Sequence, residues 1–218
     1  MDASAVRRWC AAGLDALRRH RDEIDDLNVY PVPDGDTGTN LLLTMTAAAE
    51  AIADAPPGQD GAPQGGADPD PGPADGGGVD VLLLRLARGA LLGARGNSGI
   101  ILAQLLRGMA DAVTGVFAAD GHALAKAIDR ASTAAYQAVA TPVEGTVLTV
   151  AAAAAAAATR SGSANPMVVA TAAARAARAA AARTLEQLPD LARAGVPDAG
   201  GIGLAVLLDA LVEAVGGT

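Results

Sequence analysis

Residues 28–40 read NVYPVPDGDTGTN, a polar break carrying two prolines and two glycines between two helical patterns. On its N-terminal side Val6, Trp9, Cys10, Leu14, Leu17 and Ile24 recur at mostly three- and four-residue steps with Arg and Asp between them, which predicts an amphipathic helix over 3–26. A second helix is predicted over 39–53, and further helical patterns run at 80–92, 98–115, 121–140, 146–160, 164–187 and 201–214. No β alternation interrupts them. Composition points the same way: 55 of 218 residues are Ala and only 2% are aromatic. Strands favour β-branched and aromatic side chains, whereas Ala has the highest helix propensity. The predicted fold class is all-α.

Three more glycine-bearing breaks share the character of the first: GARGNSG at 93–99, TPVEGTVLT at 141–149 and GVPDAGGIG at 195–203. If eight helices run up and down antiparallel, the junctions 1–2, 3–4, 5–6 and 7–8 all fall at one end, and these are the four breaks. They should therefore converge on one rim. Between Ala55 and Asp80 the chain is rich in Pro, Gly and Asp and nearly free of large apolar groups, so 56–79 is predicted to be a flexible surface loop at the opposite end. The whole of 1–218 is expected to form a single domain.

A net charge of −8 argues against a nucleic-acid partner, which would require a concentrated basic face. The single cysteine, Cys10, cannot form an internal disulfide, and the opening MDASAVRRWC lacks the apolar stretch of a signal peptide, so a cytoplasmic location is expected. The longest apolar run is read as Thr149–Ala158, far short of the ~20 residues that a membrane span needs, and no transmembrane segment is expected. Of the 16 basic residues only Lys126 is lysine. Phosphate chemistry on this chain would have to proceed almost without lysine.

The chemistry concentrates in the breaks. Asp34 and Asp36 flank Gly35 on a tight turn with no Lys or Arg beside them, and two close carboxylates repel unless a cation lies between them. Mg²⁺ takes oxygen ligands and keeps positions for water and phosphate oxygens, so the pair suits it, and Asn28 could add an amide oxygen. An EF-hand does not fit, because counting from Asp34 puts Thr39 where Gly belongs and Met45 where Glu belongs. The alternative is that both aspartates only shape a turn and cap a helix. Thr37, Gly38, Thr39 and Asn40 open one helix, and Gly96, Asn97 and Ser98 open another, so free backbone N–H groups would face an anion at both. Neither is a Walker A loop, which requires a lysine. Thr146 either contributes polar contacts or simply caps its helix, and so does Glu144. Asp198 is followed by Gly200 and Gly201, where a flat ring or sugar could rest against backbone, or it is only an N-cap. Arg95 is the one cation inside a break, and so the candidate phosphate contact, unless it is solvated. His20 and His122 are assigned no role. Arg175 and Arg178 read as a solvated face, and the run Ala151–Ala158 as a thin, closely packed one.

LNVYPVPDGDTGTN, GARGNSGIILAQLLRG, PVEGTVLTV and GVPDAGGIGL, taken in this order, resemble DAK2 (DhaL-like) nucleotide-binding domains, and especially the branch at the N-terminus of bacterial fatty acid kinase A. The resemblance implies an eight-helix antiparallel barrel that binds ATP or ADP with Mg²⁺ at one rim. It implies two ions held by three aspartates, of which Asp34 and Asp36 match two, while Asn28, shifted by one position, replaces the third. It further implies nucleotide contacts at Thr37 to Asn40, Gly96 to Ser98, Thr146, Asp198, Gly200 and Gly201. The function expected from it is phosphorylation of fatty acids presented by a separate fatty-acid-binding protein. The alternatives are a dihydroxyacetone kinase-like subunit and a non-catalytic nucleotide sensor. The fatty acid kinases carry further domains after this one, so the chain is either one domain of such a protein or a stand-alone form whose acceptor comes from a partner. The oligomeric state stays open, a homodimer included.

Overall fold

The computed structural model describes residues 1–53 and 77–217. Among the described residues the secondary structure is helical throughout: α1 (Ala3–Asp26), α2 (Thr37–Ala53), α3 (Val79–Gly93), α4 (Gly96–Ala112), α5 (Gly121–Gln137), α6 (Val147–Ser161), α7 (Pro166–Gln187), α8 (Pro189–Ala194) and α9 (Ala199–Gly216). Eight of these correspond to the predicted helices. The ninth, α8, has six residues and sits in the last junction, too short for an apolar period to register. The predicted loop lies outside the described residues as far as residue 76. Its last residues belong to the start of α3, which Gly78 precedes as N-cap.

α2, α4 and α9 each begin two residues earlier than the apolar pattern indicates. Their first turns are made of Thr, Gly, Asn and Ala, which carry no apolar period. Each long helix packs against the next in the chain, and α9 packs against α1, so the helices form a closed ring. Neighbouring helices joined by connections of about ten residues or fewer, α1–α2, α3–α4, α4–α5, α5–α6 and α6–α7, pack side by side as antiparallel pairs. The closing seam is tied by Trp9, whose buried indole N–H donates to the Leu207 carbonyl at 2.9 Å. Beside it the Arg8 guanidinium donates to the Ala214 carbonyl near the C-terminal end of α9 at 2.9 and 3.1 Å.

Small residues set the helix spacing. Ala151, Ala154, Ala155 and Ala158 of α6 are buried, and α6 packs on α7, whose buried residues include Ala170, Ala173, Ala174, Ala177 and Ala181. With no side chain beyond Cβ, two helices approach toward the short end of the usual 8–10 Å range. Larger side chains fill the ring interior, with Leu17, Ile24, Met45, Leu82, Leu83, Leu86, Leu106 and Leu211 fully buried.

One reading of the sequence needs correction. α9 exceeds Thr149–Ala158 in apolar length, and at 18 residues it is long and apolar enough to cross a membrane. Half of it is buried inside the fold, where it packs on α1, α6 and α7, the pattern of a core helix.

The α2–α3 contact shows how little room these interfaces leave. A Cβ on Gly89 would lie 2.5 Å from the Ala47 carbonyl oxygen and 2.6 Å from the Ala51 methyl. Gly89→Ala is expected to destabilise the fold by about 1–3 kcal/mol through overpacking, seen as a lower denaturant midpoint at unchanged slope.

Candidate functional site

The four breaks meet. Residues from 28–41, 96–105, 138–148 and 198–207 line one cavity of about 620 Å³ at the rim of the ring. Each break leads directly into a helix N-terminus, that of α2, α4, α6 or α9, so four positive helix ends gather around one space. The wall is divided in character. Asn28, Asp34, Asp36, Thr37, Asn97 and Ser98 supply a polar side, while Ile101, Leu102, Leu105, Leu148, Leu204 and Leu207 form an apolar floor.

A chain of hydrogen bonds organises the polar side. The Ser98 hydroxyl donates to the Thr37 hydroxyl oxygen at 3.4 Å, and Thr37 donates to the Asn28 amide oxygen at 2.8 Å. The Asn28 amide N–H in turn donates to Asp34 Oδ1 at 2.5 Å and to the Val32 carbonyl at 3.2 Å. Asn28 is buried, at 7% exposure, whereas Asp34 is exposed and Asp36 half-buried. Asn28 therefore meets Asp34 with its donor side, and its oxygen, expected to be free for a cation, is engaged by Thr37. Both carboxylates stay accessible. Their ligand chemistry is all-oxygen and anionic, which fits a hard divalent cation. Among the described residues no cluster of three or more His, Cys, Asp or Glu offers a rival metal site.

The first and second breaks are locked together by glycine. Gly96 takes φ 56°, in the left-handed region, and a Cβ there would overlap the Asn40 side-chain amide. The Arg95 amide donates to the Thr44 hydroxyl at 3.2 Å, across the α2–α4 contact. The Arg95 side chain is exposed and is not among the residues lining the cavity.

On the far side Thr146 caps α6. Its hydroxyl donates to the Val143 carbonyl at 2.7 Å and accepts the Leu148 amide at 3.4 Å. Asp198 caps α9, its Oδ2 accepting the Gly201 amide at 2.7 Å, and its own amide donates to the Thr184 hydroxyl at 2.8 Å. Gly200 lines the cavity, while Gly201 is buried against Val150 of α6, so the second glycine serves helix packing. Gly38 and Thr39 also lie behind the wall: Gly38 presses on the Arg21 carbonyl, and Thr39 is held by Asp25. No sequence motif marks Asp25 as a site residue. Its signal is the acidic last turn of α1, a position where the helix end disfavours negative charge.

Comparison with known proteins bears on the family and the fold. A family model described as DAK2 domain matches residues 71–213. An uncharacterized protein of Staphylococcus saprophyticus is 37% identical over 228 residues, covering 100% of this chain and 36% of that protein. Protein YloV of Bacillus subtilis is 36% identical over 219 residues, with coverage of 100% and 36%. The chain thus spans about a third of the length of the curated relatives it matches. Among solved structures, dihydroxyacetone kinase from C. freundii in complex with AMP-PNP and Mg²⁺ superposes with a TM-score of 0.65 at 17% identity, covering 95% of this chain and 33% of that one. Its native form gives 0.60 at 18% identity.

Burial raises the Asp198 carboxyl to about 6, against the opposing pull of the Gly201 and Val147 amides. A carboxyl raised in the folded state binds its proton more tightly there than in the unfolded chain. Its contribution to stability is full at low pH and is lost as pH rises through about 6. Asp198→Asn keeps an amide-accepting oxygen but no charge to bury. Thermal melts from pH 4 to 7 should show the variant gaining on the parent as pH rises, and parallel curves would contradict the assignment.

Proposed function

The chain belongs to the DAK2 domain family, and from that premise we propose that it is the ATP- and Mg²⁺-dependent phosphotransferase domain of a fatty acid kinase. The observation that carries the reading is the convergence of all four helix-opening breaks on one cavity, with two accessible carboxylates on its polar side. A nucleotide has the same division, a polyanionic phosphate end and a flat, less polar base. Phosphates would lie at the α2 and α4 starts, around Thr37, Gly96, Asn97 and Ser98. The base and sugar would lie against Thr146, Asp198, Gly200 and the apolar floor.

Asp34 and Asp36 would hold the divalent cation, and Asn28 would fix Asp34 by donating to it. The cation supplies charge neutralisation on the phosphates when bound. The helix-start amides add fixed partial positive charge at the same place, so the chain manages phosphate with a single lysine that lies elsewhere. One ion or two is a matter for binding stoichiometry. In the reaction proposed, a fatty acid carboxylate oxygen attacks the γ-phosphorus of ATP. An O–P bond to the acyl group forms as the β,γ-anhydride bond breaks, giving acyl phosphate and ADP. The acceptor would be presented by a separate fatty-acid-binding protein, and the location would be cytoplasmic. This choice of acceptor is supported by the LNVYPVPDGDTGTN form of the first break, with Asn28 in place of a third aspartate.

Calorimetry with ATP and Mg²⁺ tests the site. Loss of one metal ligand should cost no less than the roughly 10–100-fold in metal affinity typical of outer-shell partners, so Asp34→Ala and Asp36→Ala should each weaken Mg²⁺-dependent binding at least that far. Unchanged binding would remove the metal assignment. For the acceptor, the chain is incubated with ATP, a fatty acid and its binding protein, and acyl phosphate is sought as the hydroxamate. Tight ATP binding with product on dihydroxyacetone instead would favour the dihydroxyacetone kinase-like reading.

A further inference from the structure

The last four residues of α1 include three acids, Glu23, Asp25 and Asp26, at the helix end whose unpaired carbonyls make negative charge unfavourable. Asp25 finds its compensation across the first break. Its Oδ1 accepts the Thr39 amide at 3.0 Å and its Oδ2 accepts the Thr39 hydroxyl at 2.7 Å. The first backbone bond of α2 runs from the Asn40 amide to the Asp36 carbonyl at 2.8 Å, which makes Asp36 the N-cap residue and Thr39 the third residue of the helix. At an ordinary helix start an N-cap aspartate turns its own carboxylate onto the amide of the second or third residue. Here that amide is already taken by a carboxylate from another helix. Among the described residues no hydrogen bond engages the Asp36 carboxylate.

We propose that Asp25 is a positioning residue that caps α2 in place of Asp36, leaving the Asp36 carboxylate free to serve the cation beside Asp34. The inference rests on the Mg²⁺-nucleotide reading for its consequence, though not for its geometry. The two helix ends are pressed together where the Arg21 carbonyl meets Gly38, which has no room for a Cβ. Asp25 and Thr39 are thereby held in register. Without Asp25, the vacated amide attracts the nearest carboxylate, that of Asp36, and the acid needed at the cavity is drawn back into capping its own helix.

Two measurements decide this. In calorimetry, Asp25→Ala should lower ATP affinity in the presence of Mg²⁺ by about five- to tenfold, the equivalent of one cap interaction, while binding of metal-free ATP in EDTA changes by less than about threefold. Asp25→Asn, which still accepts the amide, should stay near the parent protein in both conditions. Equal losses with and without Mg²⁺ would reduce Asp25 to a structural residue and overturn the proposal, as would no loss at all. The second measurement needs no nucleotide. Asp36→Ala should leave the melting temperature of the parent nearly unchanged, but should lower that of Asp25→Ala by a further ~2–4 °C, because only there does Asp36 act as the cap. Equal effects in both backgrounds would overturn the exchange of caps. If the parent protein bound no Mg²⁺-nucleotide, the functional reading would fall, and the melting cycle alone would decide the role of Asp25.

Discussion

The hydrogen bond from the Trp9 indole to the Leu207 carbonyl lies at the seam where the first helix meets the last, and the rest of the molecule depends on that seam. A row of antiparallel helices need not close. Here closure brings the fourth break, at the start of α9, back beside the first, at the start of α2, and the cavity exists because they meet. Alanine and glycine make the closure possible by keeping the helices near one another, so that the same small residues that thin the wall also hold the rim together.

The alternation of direction has an electrostatic result. Helices that enter the rim from a break present N–H groups there, and the cavity is surrounded by four such ends. No Lys or Arg is among the residues lining the cavity, so these N–H ends are the fixed positive groups there. Acids lie on the same rim, Asp34 and Asp36 in the first break and the buried Asp198 in the fourth. Polar groups around them are satisfied by one another, from Ser98 through Thr37 and Asn28 to Asp34, and none among the described buried side chains is left without a partner. The site is therefore organised before any ligand arrives.

Much of this was legible in the sequence. The long helices announced themselves through Val6, Trp9, Leu14 and Leu17 and their counterparts, because burial on one face imposes a period that a reader can count. The four breaks were legible because proline and glycine at junctions of one parity must share an end. Other features left no such trace. α8 is shorter than two turns, and the first turns of α2 and α4 are built from Thr, Gly, Asn and Ser, which carry no apolar period. Asn28 was readable as part of the site, but which face of its amide meets Asp34 depends on Thr37 lying on its other side. Asp25 is separated from Thr39 by fourteen positions and is joined to it only by the fold. Capping by a residue on a different helix follows no local pattern.

Since α1–α2, α3–α4, α5–α6 and α7–α9 each contribute one break, no single hairpin of the ring contains the cavity. A ligand seated there binds only the fully assembled ring and has nothing comparable to hold on the unfolded chain. By mass action, occupancy at a hundred times the dissociation constant adds about 2.7 kcal/mol to the stability of the whole fold. Any ligand held at the rim would thus stabilise the whole ring, and a helix remote from the cavity would share in that protection as fully as one that touches it.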